Sequence, residues 1–100
     1  MAFGLKEGDI EKINGVLKKH TEIESAILYG SRAKGDYRSS SDIDLTLKGD
    51  QLSEAILTRV SLELDDLLLP YLIDLSIHIH IINGELIEHI ERVGKEFYVK

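Results

Sequence analysis

Apolar residues recur along the chain at two different periods, and each period assigns a type of element. Ile10, Ile13, Val16 and Leu17 fall three or four residues apart, which predicts a helix over about Asp9–His20 with Asp9 as its N-cap. Gly15 inside that helix costs roughly 1 kcal/mol relative to alanine, so the helix depends on what it packs against. Ser25–Tyr29 is almost wholly apolar and reads as a strand covered on both faces. It stops at Gly30-Ser31, and Gly35 closes the short turn that follows. A polar loop, Asp36–Ser41, leads into Asp42–Leu47, where Asp42, Asp44 and Thr46 alternate with Ile43, Leu45 and Leu47. That period of two predicts a strand with one polar and one apolar face. The stripe Ile56, Val60, Leu64, Leu67 and Leu68 predicts a helix over about Ser53–Leu69, ended by Pro70. Tyr71–His80 predicts a third strand, and Glu85–Val93 a last helix with Gly94 as its C′ residue. Helices alternate with strands throughout, so the predicted class is α/β (α+β): a small sheet of about three strands flanked by about four helices, counting the turn after Gly30.

The chain has 100 residues, enough for one domain with a modest core, and residues 1–100 are expected to form it. With 43% hydrophobic and 30% charged residues and one proline, the composition is that of a globular chain rather than a disordered one. The longest nearly unbroken apolar stretch, Leu67–Ile73, is far short of the roughly 20 residues that a membrane-spanning helix needs. Met1–Asp9 lacks the apolar segment of a secretory signal, and the expected location is cytoplasmic. Without cysteine there is no disulfide, thiolate metal site or cysteine nucleophile. Twelve basic against eighteen acidic residues give a net charge of −6, which argues against a nucleic-acid binder that works by neutralising phosphates.

Three features carry chemistry. Gly30-Ser31 ends the first strand and opens Gly-Ser-Arg-Ala-Lys-Gly, a turn whose glycine admits close approach and whose serine and backbone amides suit an anion. Arg32 and Lys34 add positive charge; the plainer reading is a turn with solvated basic residues. In Asp42-Ile43-Asp44, residues i and i+2 of a strand point to one face, so two carboxylates sit together. They repel unless a cation lies between them, and hard oxygen donors suit Mg²⁺; the plainer reading is the polar face of an edge strand. Asp74 interrupts the apolar run Leu72–Ile77, and a crossover helix between the second and third strands would set it beside the pair. Its alternative is a buried aspartate satisfied by an N–H or an arginine.

The combination of Gly30-Ser31, ten residues, Asp42-Ile43-Asp44 and a later strand carboxylate resembles the polymerase-β nucleotidyltransferase superfamily. The fuller string, Gly30–Gly35 with Ser41–Leu45, is similar to its minimal nucleotidyltransferase family, of the MntA-like antitoxin type. The resemblance spans about Ile10 to Tyr98. It implies a mixed three-stranded sheet with flanking helices. It also implies that Asp42, Asp44 and Asp74 bind two Mg²⁺ ions, with Asp74 helping to activate the attacking hydroxyl. Gly30 and Ser31 would hold the phosphates of ATP, with Arg32 and Lys34 as helpers. The partner it implies is a helical HEPN-domain protein, a toxin silenced by AMP transfer to a tyrosine in a type VII-like pair, and hence a homo- or hetero-oligomer. Transfer to another protein or a small hydroxyl compound is the enzymatic alternative; a non-catalytic module that blocks its partner is the other.

The remaining polar residues point less sharply. His78 and His80 share the strand parity of Asp74 and Ser76, which puts them at a strand end facing solvent or a partner, or near the cleft. His20 and His89 read as helix-surface residues, Tyr29 as core, and Tyr37 as a loop residue able to touch a base. Phe97, Tyr98 and Val99, with the last helix, either close the core or offer apolar surface to a second subunit.

Overall fold

A computed structural model describes residues 2–100. Its elements are α1 (Glu7–Lys18), β1 (Ser25–Tyr29), α2 (Ser31–Lys34), β2 (Ile43–Lys48), α3 (Glu54–Asp65), β3 (Ile73–Ile77), a 3₁₀ turn (His78–His80), α4 (Gly84–Val93) and β4 (Lys95–Val99). The strands form one sheet in the order β3-β2-β1-β4. β1 runs antiparallel to β2 and β4, and β2 runs parallel to β3 across the α3 crossover. The sheet therefore has four strands, not three. The fourth strand is Lys95–Val99, whose Phe-Tyr-Val run is strand-prone and pairs with the free edge of β1. Phe97 is buried and belongs to the core, so the end of the chain closes the fold; Val99 stays 59% exposed.

Register sorts the side chains into two faces. Ala26 and Leu28 of β1 lie opposite Leu47 and Leu45 of β2, and Ile73, Leu75 and Ile77 of β3 lie beside Ile43, Leu45 and Leu47. This face packs on Ile13, Val16 and Leu17 of α1 and on Val60 and Leu64 of α3 in one continuous apolar cluster. The other face carries Tyr29, Asp44, Thr46, Asp74 and Ser76. α4 covers the β1 side of it, with Gly94 against Ile27 and the His89 ring against Tyr29, and leaves the carboxylates of β2 and β3 open.

Several boundaries moved for local reasons. α1 begins at Glu7, so Asp9 lies inside its first turn and accepts a hydrogen bond from the Tyr71 hydroxyl at 3.3 Å instead of capping. Ser53 caps α3 as its polar side chain suggests, accepting from the Ile56 amide. α3 stops at Asp65, short of Pro70, and the chain reverses through Leu68 in the left-handed region at φ 55°. Asn83 caps α4, and Gly94 closes it with φ −58°, not in the left-handed form expected of a C′ glycine. β3 ends at Ile77 and the chain coils into the 3₁₀ turn, so His78 and His80 do not share the strand face of Asp74. His80 instead points its Nδ1 at Glu54, 3.5 Å away.

Candidate active site

The open face of the sheet brings together the carboxylates singled out in the sequence. Asp44 and Asp74 are register partners on parallel neighbouring strands, and the amide of Ile43 donates to the Leu72 carbonyl at 2.9 Å, locking the two strand starts side by side. Asp42 precedes β2 by one residue and is exposed. Asp74 is exposed too, so the expected burial cost does not arise: its strand is at the sheet edge with one face free. Burial, then the charges of Asp74 and Asp42, push the Asp44 carboxyl above its ordinary value, and His89 partly opposes them. Among the described residues no lysine, arginine or histidine forms an ion pair with any of these three carboxylates.

An all-oxygen donor set that repels itself and has no cationic side chain fits a hard divalent cation such as Mg²⁺. Among the described residues no three His, Cys, Asp or Glu side chains close into a cage of their own. Mg²⁺ in nucleotide sites is commonly bound through one or two carboxylates and otherwise by substrate phosphates and water.

The turn after β1 lies against this cluster. Gly30 has φ 76° and ψ −157°, a backbone region essentially restricted to glycine, and a Cβ there would collide with Oδ2 of Asp44. The glycine is thus required both by the turn and by the close approach of the carboxylate. Gly30→Ala is expected to cost about 1–3 kcal/mol of stability from the backbone alone and to displace Asp44 besides. Urea denaturation reads the first effect; an unchanged midpoint would mean that the turn relaxes freely. Ser31 follows at the start of α2, and Lys34 is half-exposed, its Nζ 3.5 Å from Asp36.

Arg32 does not join the phosphate-facing group. It is 1% exposed, and its guanidinium donates to the carbonyls of Phe3 at 2.9 Å, Ser39 at 3.2 Å and Ser41 at 2.9 Å, with Nε adding a second bond to Ser41 at 3.1 Å. The Tyr37 and Tyr71 rings flank it at 5.3 and 5.1 Å. The expectation of a phosphate helper is therefore corrected: Arg32 braces the Asp36–Ser41 loop, including the carbonyl just before Asp42. Tyr37 is occupied in this brace and over Gly4.

Two residues read from the sequence as core and as helix surface, Tyr29 and His89, also border the site. Tyr29 is buried on the site face, where burial pushes its phenol up, Ser76 opposes, and the charges of Asp74 and Asp44 add to the rise. Ser76 itself donates to the fully buried Thr46 hydroxyl at 2.9 Å. His89 accepts a hydrogen bond from the Gly30 amide at Nε2, 3.1 Å away. Its signal was present: position 89 borders the stripe Leu86, Ile90, Val93, so it lies at the margin of the packed face.

The sequence profile described as "Polymerase beta, Nucleotidyltransferase" matches residues 11–100. No curated protein matches the chain. Among solved structures, a toxin–antitoxin crystal structure with AMP-PNP superimposes with a TM-score of 0.71 at 21% identity, over 96% of this chain and 75% of that one. A complex of tri-AMPylated Shewanella oneidensis HEPN toxin with MNT antitoxin gives 0.70 at 17% identity, over 96% and 74%. A protein from Sulfolobus solfataricus described as a nucleotidyltransferase gives 0.52 at 21% identity, over 91% and 77%. At these identities the likeness establishes the fold.

Proposed function

The chain belongs to the polymerase beta nucleotidyltransferase family, and from that premise we propose that it transfers AMP from ATP to a hydroxyl of a partner protein, a tyrosine of a HEPN-domain toxin, and so acts as an antitoxin. One observation carries the catalytic part: Asp44 and Asp74 lie side by side in register on parallel strands, beside a glycine turn that a Cβ would push off Asp44. The likeness to the two toxin–antitoxin structures supports the partner and the acceptor.

In this reading Asp42, Asp44 and Asp74 would hold Mg²⁺ together with the triphosphate. Bound there, Mg²⁺ would supply charge neutralisation at the phosphates. Gly30 seats the turn against Asp44, the Ser31 hydroxyl hydrogen-bonds the β- and γ-phosphates, and Lys34 can swing from Asp36 toward them. The exposed Asp74 carboxylate takes the proton of the acceptor hydroxyl as its oxygen attacks the α-phosphorus. The new bond joins that oxygen to the α-phosphorus; the bond to the bridging oxygen breaks, and pyrophosphate leaves with the electron pair.

Intact-mass spectrometry of a co-expressed HEPN partner tests this reading. With ATP and Mg²⁺ the partner is expected to gain the mass of one or more AMP groups and to stay silenced after the two proteins are separated. Protection without any mass gain would favour a blocking module, and AMP appearing on a small hydroxyl compound instead would move the acceptor.

A further inference from the structure

The Gly30 turn is held from a second side by a helix 59 residues further along the chain. His89 of α4 accepts the Gly30 N–H through Nε2 at 3.1 Å, and its ring stands edge-on to Tyr29, with centroids 6.2 Å apart and planes at 82°. The N-cap of α2 is Gly30, which has no side chain of its own to cap with, and the His89 imidazole engages its amide. A nitrogen that accepts must carry a lone pair, which fixes the ring proton on Nδ1. The Tyr29–Gly30 peptide is then clamped between Asp44, which occupies the space of the missing Cβ, and the His89 ring.

We infer that His89 is a positioning residue for the nucleotide: by tying back the Gly30 amide it sets the turn that presents Ser31, and it keeps Gly30 seated against Asp44. The inference rests on the nucleotidyltransferase reading above. It assigns the Gly30 N–H to the protein itself and leaves phosphate binding to Ser31 and the residues after it. It also gives α4 a role at the site although none of its side chains is among the three carboxylates.

The test has two independent readouts. Amide hydrogen exchange on the free protein is expected to show Gly30 protected, and His89→Ala to speed its exchange about tenfold or more, as the loss of one hydrogen bond implies. In the transfer assay His89→Ala is expected to raise the ATP KM about tenfold while kcat falls less, because loosening the turn that presents Ser31 weakens binding in ground and transition states alike. His89→Gln, whose amide oxygen can accept at a similar reach, should restore both. Fast Gly30 exchange in the wild type, an unchanged KM in His89→Ala, or a glutamine variant as impaired as the alanine one would each overturn the inference. Normal Gly30 protection in a wild type that binds no nucleotide would instead count against the functional reading.

Discussion

Asp44→Asn is expected to lower nucleotidyl transfer about a thousandfold and, in the metal-free protein, to raise the melting temperature by a few degrees. The two effects have one cause. Asp44 is partly buried and faces Asp74 and Asp42, so its carboxyl sits above its ordinary value and its charged form is strained in the fold. A carboxyl raised in the folded state binds its proton more tightly there than in the unfolded chain. Its stabilising contribution is present below the ordinary value of 3.8 and is lost as pH rises through the raised one. At neutral pH the wild type therefore carries a penalty that asparagine removes. The difference in melting temperature between the two proteins should shrink as pH falls toward the ordinary carboxylate range. Scanning calorimetry in chelator at several pH values checks it; a variant less stable than wild type at neutral pH would mean that Asp44 has a stabilising partner instead.

Arg32→Ala carries the largest expected loss of stability, about 3 kcal/mol, or roughly 12 °C or more in melting temperature for a domain of this size. Four hydrogen bonds from a charged donor to three carbonyls would vanish, together with the stacking of Tyr37 and Tyr71 on the guanidinium. Each bond to a charged group is worth about 1.5–3 kcal/mol, but the freed loop can turn its carbonyls to water, which returns part of that. Arg32→Lys should rescue little, since one ammonium cannot reproduce the planar fork that reaches all three carbonyls. Thermal denaturation decides it; a loss below about 1 kcal/mol would mean that the loop is not braced by Arg32.

How far the sequence carried the reading differs from element to element. Period two in Asp42–Leu47 set Asp44 on the polar face, and a crossover helix set Asp74 beside it; the register bears out that pair, whereas Asp42 lies one residue before β2 and has no partner in the ladder. Phe97 could not be placed that way. A short apolar segment at a chain end has a partner only once β1 is known to have a free edge. Arg32 misled for a related reason: in one dimension it is a basic residue beside a phosphate-type turn, whereas its partners Phe3, Ser39 and Ser41 are carbonyls, which leave no trace in side-chain pattern. His89 meets Gly30 across 59 residues, a contact that helical spacing hints at only by setting it next to the apolar stripe. His78 and His80 followed strand parity until the chain coiled at Ile77.

In the proposed reaction the open carboxylate face directs attack to the α-phosphorus of ATP. Parallel reactions with ATP radiolabelled at the α- or the γ-phosphorus, each with Mg²⁺ and a co-expressed HEPN partner, test it most directly. The α-label is expected to become acid-stable on the partner protein and the γ-label to be released in pyrophosphate, and neither is expected with Asp44→Asn. Transfer of the γ-label to the protein, or no α-label on any acceptor from a folded wild type, would contradict it.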